Sequence, residues 1–509
     1  MSVFSGQSAS ADVRALTKVA VLAFSLDDFF RVAAAFPRIY LNLGAVLSQR
    51  LAQSDRRVGI GRESLIVLID DHAAQPLAAY AIAASLAWHT QRLVPFVLFD
   101  REVPSELASL VAQSPRLVGA GAYVEVLNCD GSPTNALLAY LDRRDDDRCV
   151  VFAAPPGTVL PLVHRRVRIL PTPDDALIQI ESSPQVDAWS GLPEHNEAGG
   201  VRVLAAPTRA DMVALHHGLL PTTTATGKAF GRLSRDLAGL QVGVALGAGS
   251  AKGYAHLGVL RALAQSNIPI DYLAGVSIGA VVAGLTAAGY DPATSEKLLG
   301  GVGRATFRPT VSTKALMSSS RVRRAMQTVW GETRLEELDT PLTIVATDVL
   351  LGQEVLLRRG LLWAAVLASI AIPGIYPPQH IGGHVLVDGG LVNPVPSNVV
   401  ASMGADVVIA VKLADRPPPR GVDAEAEPTH GQVPTAAQTM MRSIEIMQAG
   451  IREASASTAT VVIEPRFERV SGFGLRDFSK GSRFVDLGEA AAEEAIAELA
   501  DALPWLRAT

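Results

Sequence analysis

The chain has 509 residues, of which 49% are hydrophobic and 19% charged, a composition that excludes extended disorder and predicts about three domains. Its net charge of −5 lacks the basic excess with which nucleic-acid-binding proteins neutralise phosphates. Its two cysteines, Cys129 and Cys149, cannot build a disulfide framework or a cysteine-based zinc site. We therefore expect a protein of a reducing compartment that does not bind nucleic acid.

Neither a secretory signal nor a membrane span is predicted. The first twenty residues alternate small, polar and charged types, without the apolar core of a signal. The longest apolar runs, near residues 76–88 and 361–378, are too short or are broken by prolines, whereas a span needs about 20 apolar residues. We expect a cytoplasmic protein, at most peripheral to the inner face of the membrane.

Two predicted units precede the informative part of the chain. Residues 1–55 are predicted to form a strand (19–24) and two helices, the second opened by Pro37 and carrying an apolar stripe. Residues 56–215 alternate strand-like apolar runs with amphipathic runs, which predicts a parallel sheet with helices on its faces. The segment of about 155–200, rich in Pro, Asp and Ser, is interpreted as a boundary.

The third unit covers residues 216–509. A polar helix (226–237) leads into strand and helix alternation up to about residue 413. The proline-rich segment Asp415–Pro434 has no periodicity and is predicted to be a mobile loop. A helix (436–453), the strand ATVVIEP and a closing helix (487–502) complete the chain.

A glycine-rich loop follows the first strand of this unit, QVGVAL. Glycines allow a sharp turn that aims several N–H groups at one point beside a helix N-terminus, which suits an anion. The spacing fits neither the dinucleotide fingerprint nor the P-loop, and an ordinary strand-to-helix turn remains the alternative. The loop consists of Gly247, Ala248, Gly249, Ser250, Ala251, Lys252 and Gly253.

The next strand, YLAGV, meets Gly275-Val276-Ser277-Ile278-Gly279 and a helix of small residues. A serine between Gly275 and Gly279 at a strand-to-helix turn is the pattern of a nucleophile elbow, in which a strained backbone lifts the hydroxyl into the site. A helix-capping serine would produce the same five residues. The glycine loop one strand earlier favours the catalytic interpretation of Ser277.

The base that would activate Ser277 is predicted to be a carboxylate. After Asp388 only His430 remains, in the proline-rich segment, so the order Ser, acid, His of a triad is poorly matched. Asp348 and Asp388 both end predicted strands, where side chains converge over a parallel sheet. Asp388 lies in the more constrained turn, before Gly389-Gly390, whereas Asp348 has the pattern of a turn cap.

The glycine loop with Lys252, the elbow, the stretch LASIAIPGIYPP and the Asp388-Gly389-Gly390 turn together resemble the patatin-like phospholipase family. The likeness covers about residues 240–413, and the pattern VIEPRFERVSGFGLRDF is similar to bacterial relatives of neuropathy target esterase. The resemblance implies a patatin-like three-layer α/β/α catalytic domain, preceded by the second α/β unit.

By the same resemblance, Ser277 is the nucleophile, Asp388 the base, and the N–H groups of residues 247–253 the oxyanion hole, without metal or cofactor. The implied activity is hydrolysis of lipid acyl esters, with a phospholipid or lysophospholipid as substrate and peripheral membrane contact. Two alternatives stay open: an acyltransferase that uses the same acyl-enzyme, and a non-catalytic lipid-binding regulatory protein.

The amino-terminal residues resemble the last part of a cyclic-nucleotide-binding domain over about residues 5–52. The likeness begins inside the phosphate-binding cassette, and Ser8-Ala9-Ser10 stand where that family carries its phosphate-binding arginine. We therefore interpret residues 1–55 as a remnant of such a domain that does not bind cyclic nucleotide. A native start upstream of Met1 stays open.

Overall fold

A computed structural model of the chain describes most of the residues after position 64. The predicted amino-terminal segment 1–55 and the predicted loop 415–434 lie outside the described residues. The structure describes residues 65–71, 75–99, 107, 121–127, 140, 149–154, 165–172, 177–182, 202–208, 210–211, 224–306, 319–413, 436–467 and 481–507. Ser64–Thr509 form one compact unit.

The first sheet has seven strands in the order β3-β2-β4-β1-β5-β6-β7. β1 to β5 pair in parallel, whereas β5, β6 and β7 pair antiparallel. The helix between β1 and β2 is α1, Pro76–Thr90, whose alanine-rich surface is buried nearly all round against the sheet and its neighbours. The strands are Leu65–Asp71 (β1), Leu93–Phe99 (β2), Gly121–Leu127 (β3), Cys149–Ala154 (β4), Arg165–Pro171 (β5), Leu177–Ser182 (β6) and Arg202–Ala205 (β7).

The interpretation of residues 155–200 as a boundary is wrong, because β5 and β6 lie within it. In β5 the buried Val167 and Ile169 alternate with arginines that are half-buried or exposed. This alternation with a period of two is typical of a strand with one covered face. The flanking Pro, Asp and Ser residues obscured that pattern in the sequence.

The second sheet has eight strands in the order β12-β13-β10-β9-β8-β14-β15, with β11 paired to β10. β10, β9, β8, β14 and β15 pair in parallel, and β11, β13 and β12 add antiparallel strands. The strands are Val242–Leu246 (β8), Tyr272–Val276 (β9), Leu342–Asp348 (β10), Gln353–Leu357 (β11), Gln379–Ile381 (β12), His384–Asp388 (β13), Val407–Val411 (β14) and Val461–Ile463 (β15).

Helices follow most of these strands. They are Ala225–Ala238 (α2), Tyr254–Gln265 (α3), Ile278–Ala287 (α4), Pro292–Thr306 (α5), Ser319–Trp330 (α6), Leu362–Ser369 (α7), Ser397–Ser402 (α8), Ala436–Ala456 (α9) and Gly481–Ala502 (α10). Every residue of β8, β9, β10 and β14 is buried, as in a parallel sheet covered on both faces. The predicted α/β fold class is confirmed.

The closing helix begins at Gly481, six residues before the predicted start at Leu487. It packs along α3, where Gly258 and Gly488 bring the two backbones close, and Arg261 forms an ion pair with Glu489. None of the helices in the described part of the chain combines the length and the apolar character needed to traverse a bilayer.

A buried ion pair connects the two sheets through α2. The apolar face of α2 packs with α1 in the core of the first sheet, although the predicted boundary at 215/216 assigns this helix to the third unit. Arg235 of α2 donates two hydrogen bonds to Asp271, at 2.9 and 2.6 Å, just before β9 of the second sheet. Asp271 also accepts the N–H of Val242 at 2.9 Å.

His89 completes this buried network. Its Nδ1 lies 2.8 Å from the Ser85 carbonyl, and its Nε2 lies 2.9 Å from the Arg235 guanidinium. Since a carbonyl only accepts and a guanidinium only donates, Nδ1 carries the proton and Nε2 accepts. Burial lowers the pKa of His89 to about 3, helped by the Arg235 charge, so the ring is neutral.

Replacing Asp271 by alanine is expected to lower the free energy of unfolding by about 3 to 5 kcal/mol, because it leaves the buried Arg235 without its counter-charge. Urea denaturation followed by circular dichroism measures the change. The control Glu332→Ala removes a carboxylate from an exposed position and should change stability by about 0.5 kcal/mol or less. Equal effects of the two substitutions would contradict a structural role for the pair.

Candidate active site

Ser277 lies at the turn between β9 and α4, with a backbone conformation that few residues adopt. Its φ of 54° and ψ of −124° put a side-chain-bearing residue in the positive-φ region. Such strain is characteristic of residues whose position is set by function, and it fits the strand-to-helix elbow that the sequence predicted. The Ser277 side chain is buried and faces the end of β13, as its hydrogen bond shows.

The two elbow glycines are required by close approach. A Cβ at Gly279 would overlap the Leu246 carbonyl and lie 2.8 Å from the carbonyl oxygen of Gly247. A Cβ at Gly275 would lie 2.6 Å from the carbonyl oxygen of Gly279. The elbow therefore packs backbone to backbone against the start of the glycine loop, which brings two of the predicted features together.

Asp388 is the carboxylate that meets Ser277. The Ser277 hydroxyl donates to Asp388 Oδ2 at 2.5 Å, and the N–H of Gly390 donates to Oδ1 at 2.8 Å. The Asp388 backbone is fixed on both sides, since its N–H donates to the Ala371 carbonyl and its carbonyl accepts the Thr347 hydroxyl, at 3.0 and 2.9 Å. Both oxygens of the carboxylate thus have a donor.

Burial raises the pKa of the Asp388 carboxyl to about 6, because the charged form loses its hydration. Hydrogen bonds from the Ser277 hydroxyl and the Gly390 N–H oppose the shift in part. A carboxyl whose pKa lies close to neutrality is suited to accept a proton during reaction and to return it afterwards.

Ser369, at the end of α7, holds the elbow in place. Its hydroxyl accepts the N–H of Ser277 at 2.9 Å and donates to the Val345 carbonyl of β10 at 2.6 Å. The sequence reasoning assigned no role to Ser369, although it lies within the quoted stretch LASIAIPGIYPP. That stretch could have drawn attention to Ser369, but only the fold shows that the end of α7 contacts the elbow.

The glycine loop continues from β8 into a short 3-10 helix, Ser250–Gly253. The N–H groups of Gly247, Ala248 and Lys252 are used internally, by the carbonyls of Val411, Pro394 and Gly249 at 3.1, 2.9 and 3.2 Å. The N–H groups that meet no acceptor within the described residues are those of Gly249, Ser250 and Ala251.

This pattern divides the seven predicted oxyanion-hole residues into two groups. Gly247, Ala248 and Lys252 shape the loop, and Gly253 continues it as the close neighbour of Ile278. Gly249, Ser250 and Ala251 retain donors for an anion. Ile278, directly after Ser277, begins α4, and a first-turn N–H has no partner within its own helix.

His256 of α3 forms a hydrogen bond with the start of this loop. Its ring is fully buried in α3, and its Nε2 donates to the carbonyl of Gly247 at 2.8 Å. Burial lowers the pKa of His256 to about 4, so the ring is neutral at physiological pH. His256 thus both packs within the core and holds the loop through a hydrogen bond. Among the residues that the structure describes, no histidine hydrogen-bonds Ser277.

Asp348, the rival base, is committed to a different task. Its Oδ1 accepts the N–H groups of Leu350 and Leu351 at 2.9 and 3.2 Å, and its Oδ2 accepts from His384 Nδ1 at 2.8 Å. The hydrogen bond from His384 lowers the pKa of the Asp348 carboxyl. Asp348 caps a turn, the alternative that its sequence pattern left open.

No group of three or more His, Cys, Asp or Glu residues arranged to hold a metal ion occurs in the described part of the chain.

Residues 244–400 match the family model described as patatin-like phospholipase. The match spans the glycine loop, the elbow and the Asp388 turn. These residues form a patatin-like phospholipase domain. The predicted family resemblance is confirmed for residues 244–400, and this domain indicates a lipid-hydrolysing esterase activity.

Relatives extend the likeness beyond this domain. An uncharacterized NTE family protein of Mycobacterium tuberculosis is 28% identical over 521 aligned positions, covering 97% of this chain and 83% of that protein. Patatin-like phospholipase domain-containing protein 6 of Mus musculus is 31% identical over 196 positions, covering 37% of this chain and 14% of that protein. The crystal structure of VipD from Legionella pneumophila aligns at 12% identity with a TM-score of 0.30, covering 50% of this chain and 66% of that one.

Replacing Gly279 by alanine is expected to abolish the elbow geometry, because the added methyl group would overlap backbone atoms that cannot rotate away. Thermal unfolding and labelling of Ser277 by a fluorophosphonate measure the effect, and we expect a lower Tm and loss of labelling. The control Gly301→Ala lies in α5 with open space around the new methyl group and should keep both properties. Wild-type labelling of the Gly279 variant would contradict the close approach.

Proposed function

We propose that the chain hydrolyses acyl esters of phospholipids or lysophospholipids through a dyad of Ser277 and Asp388. The observation that carries this proposal is the 2.5 Å hydrogen bond from the strained Ser277 to the buried Asp388 carboxylate. The patatin-like phospholipase domain supports a lipid ester as substrate, as does the similarity to patatin-like phospholipase domain-containing protein 6 of the mouse.

In the first half-reaction Asp388 takes the proton of the Ser277 hydroxyl while Oγ attacks the acyl carbonyl carbon. The resulting oxyanion is stabilised by N–H groups of the glycine loop, with Gly249, Ser250 and Ala251 as the available donors. Collapse of this intermediate breaks the ester bond, and the proton on Asp388 passes to the departing alcohol. The products of this half are an acyl-Ser277 and a deacylated lipid.

In the second half-reaction Asp388 deprotonates a water molecule, which attacks the acyl-Ser277 carbonyl. The same N–H groups hold the second oxyanion. Its collapse releases a fatty acid and returns the proton from Asp388 to the Ser277 Oγ. One carboxyl thus serves as base and acid in turn, a cycle that a pKa of about 6 permits.

Replacing Ser277 by alanine is expected to abolish fluorophosphonate labelling and lipid hydrolysis, because the nucleophile is removed. Asp388→Asn should lower kcat by about 100- to 10,000-fold, the usual contribution of a general base. Fatty-acid release from a lysophospholipid, with and without glycerol as acceptor, measures the activity. Circular dichroism should show both variants folded.

Asp348→Asn is the matched control, since it changes a neighbouring aspartate at the end of a strand in the same sheet. It should keep most of the hydrolytic activity. A larger loss in the Asp348 variant than in the Asp388 variant would contradict the assignment of the base. Transfer of the acyl group to glycerol as the main product would favour the acyltransferase alternative.

The pH dependence of kcat/KM should have an acid limb with its midpoint at about pH 6. The base must be ionised, and burial has raised the pKa of Asp388, so activity falls as protons bind below that pH. The rate of hydrolysis of a water-soluble short-chain ester, measured from pH 4.5 to 8, gives the profile. A midpoint at about pH 4, the ordinary range of an aspartate, would contradict Asp388 as the base.

Unfolding at low pH must be separated from this limb. His89 and His256 are neutral in the folded chain because their pKa values are lowered to about 3 and about 4, so protonation favours the unfolded chain. Their contribution to stability is present above pH 6.5 and is lost as the pH falls towards those values. Circular dichroism at each pH identifies the range in which the loss of rate is reversible.

A further inference from the structure

We propose that the turn Val349-Leu350-Leu351 inserts into the surface of a phospholipid bilayer and brings the Ser277 site to its substrate. These three residues, the apolar tip, connect β10 to β11. The proposal rests on the function proposed above, because it assumes a lipid ester that resides in a membrane.

The apolar tip is exposed to an unusual degree. Val349, Leu350 and Leu351 expose 46%, 75% and 61% of their surface. Single exposed leucines are common in folded proteins, but three consecutive large apolar residues on a protruding turn favour contact with an apolar phase. Within the described residues, no other exposed large apolar residues form a run of three.

The exposure of the tip is enforced by the turn that carries it. Asp348 Oδ1 accepts the N–H groups of Leu350 and Leu351, and the N–H of Val349 donates to the Val385 carbonyl at 2.9 Å. The N–H of Gly352 closes the turn on the Asp348 carbonyl at 2.8 Å, with a φ of +64° that glycine tolerates. Because these bonds fix the backbone, the side chains are displayed rather than folded back.

The tip lies beyond the dyad on the same edge of the second sheet. Val345 pairs with Val276, and Ala346 pairs with Asp388, so Ala346 marks the level of the dyad. Val349 follows Ala346 by three residues, which in an extended strand is about 10 Å. An interface that receives the tip therefore meets the edge at which Ser277 lies.

Exposed basic residues on α6 complement an anionic bilayer near this edge. Arg321, Arg323 and Arg324 are exposed, and the Arg323 guanidinium lies 3.4 Å from the side chain of Gln379 in β12 and 5.9 Å from the centre of the Trp363 ring. Gln379 pairs with Leu386, which pairs with Asp348 at the base of the tip. Each basic residue near an anionic surface adds about fivefold to binding.

The helix α9, which borders the Asp388 turn, carries two further exposed apolar residues. A Cβ at Gly390 would lie 2.6 Å from Gln448 Nε2, so this helix borders the Asp388 turn. Ile446 and Met447, immediately before Gln448, expose 63% and 58% of their surface. Exposed apolar side chains together with arginines have the composition that a headgroup region accommodates.

The test is the double substitution Leu350→Ser/Leu351→Ser. Sedimentation with vesicles of equal parts phosphatidylcholine and phosphatidylglycerol should show at least about a tenfold lower partition coefficient, because two leucines no longer leave water. Fluorophosphonate labelling of Ser277 and hydrolysis of a water-soluble ester should stay at the wild-type level. The matched control Leu93→Ser/Leu177→Ser removes two exposed leucines that begin strands of the first sheet, and it should bind vesicles normally.

Equal vesicle binding by both double variants would overturn the proposal. So would sedimentation velocity that finds a dimer of the wild-type chain dissociated by the tip substitutions, since the tip would then be a contact between two copies. Failure of the proposed function has a separate signature, the absence of fluorophosphonate labelling in the wild-type chain. In that case, vesicle binding that depends on Leu350 and Leu351 would still support insertion of the tip into the bilayer.

Discussion

The positive φ of Ser277 is the constraint around which the second sheet is arranged. A residue with a Cβ takes this conformation only when its surroundings hold it, and here the Ser369 hydroxyl binds the Ser277 N–H while Val345 binds Ser369. The elbow must also lie against the carbonyls of Leu246 and Gly247, which leaves room only for hydrogen at Gly279. The neighbouring strands β8, β9 and β10 thus together hold Ser277 in this conformation.

Two aspartates at strand ends show how environment divides chemical roles within one sheet. Burial raises the pKa of Asp388 although its neutral donors oppose the shift, whereas the hydrogen bonds from His384 and two turn amides lower the pKa of Asp348. In residue type and strand position the two are alike. The difference comes from register, because the antiparallel pairing of β13 with β10 carries Asp388 back to the level of Ser277. The same residue type thus accepts the Ser277 hydroxyl at the end of one strand and fixes a turn at the end of another.

Local patterns predicted the central strands, the elbow, the glycine loop and the Asp388 turn, because each depends on residues that are adjacent in the sequence. They failed where a partner is distant in sequence. Nothing near Ser369 indicates that its hydroxyl reaches Ser277, and the choice between Asp348 and Asp388 needed the constrained Gly389-Gly390 turn and the family resemblance. The strands β5 and β6 were missed because their apolar alternation is short and is flanked by Pro, Asp and Ser residues. The seven residues predicted to form an oxyanion hole could be divided into residues with used and with available N–H groups only after the internal hydrogen bonds of the loop were known.

The Arg235–Asp271 pair bears on where the patatin-like phospholipase domain can be separated from the rest of the chain. A polypeptide that began at residue 240 would keep Ser277, Asp388 and all eight strands of the second sheet, but it would lose α2 and the guanidinium that neutralises Asp271. The N–H of Val242, at the start of β8, would then donate to an Asp271 carboxylate that is buried without a counter-charge. The smallest fragment that keeps this ion pair therefore begins before α2. Because α2 also packs in the core with α1, a fusion protein that separates the two sheets has to cover the apolar face of α2 in another way.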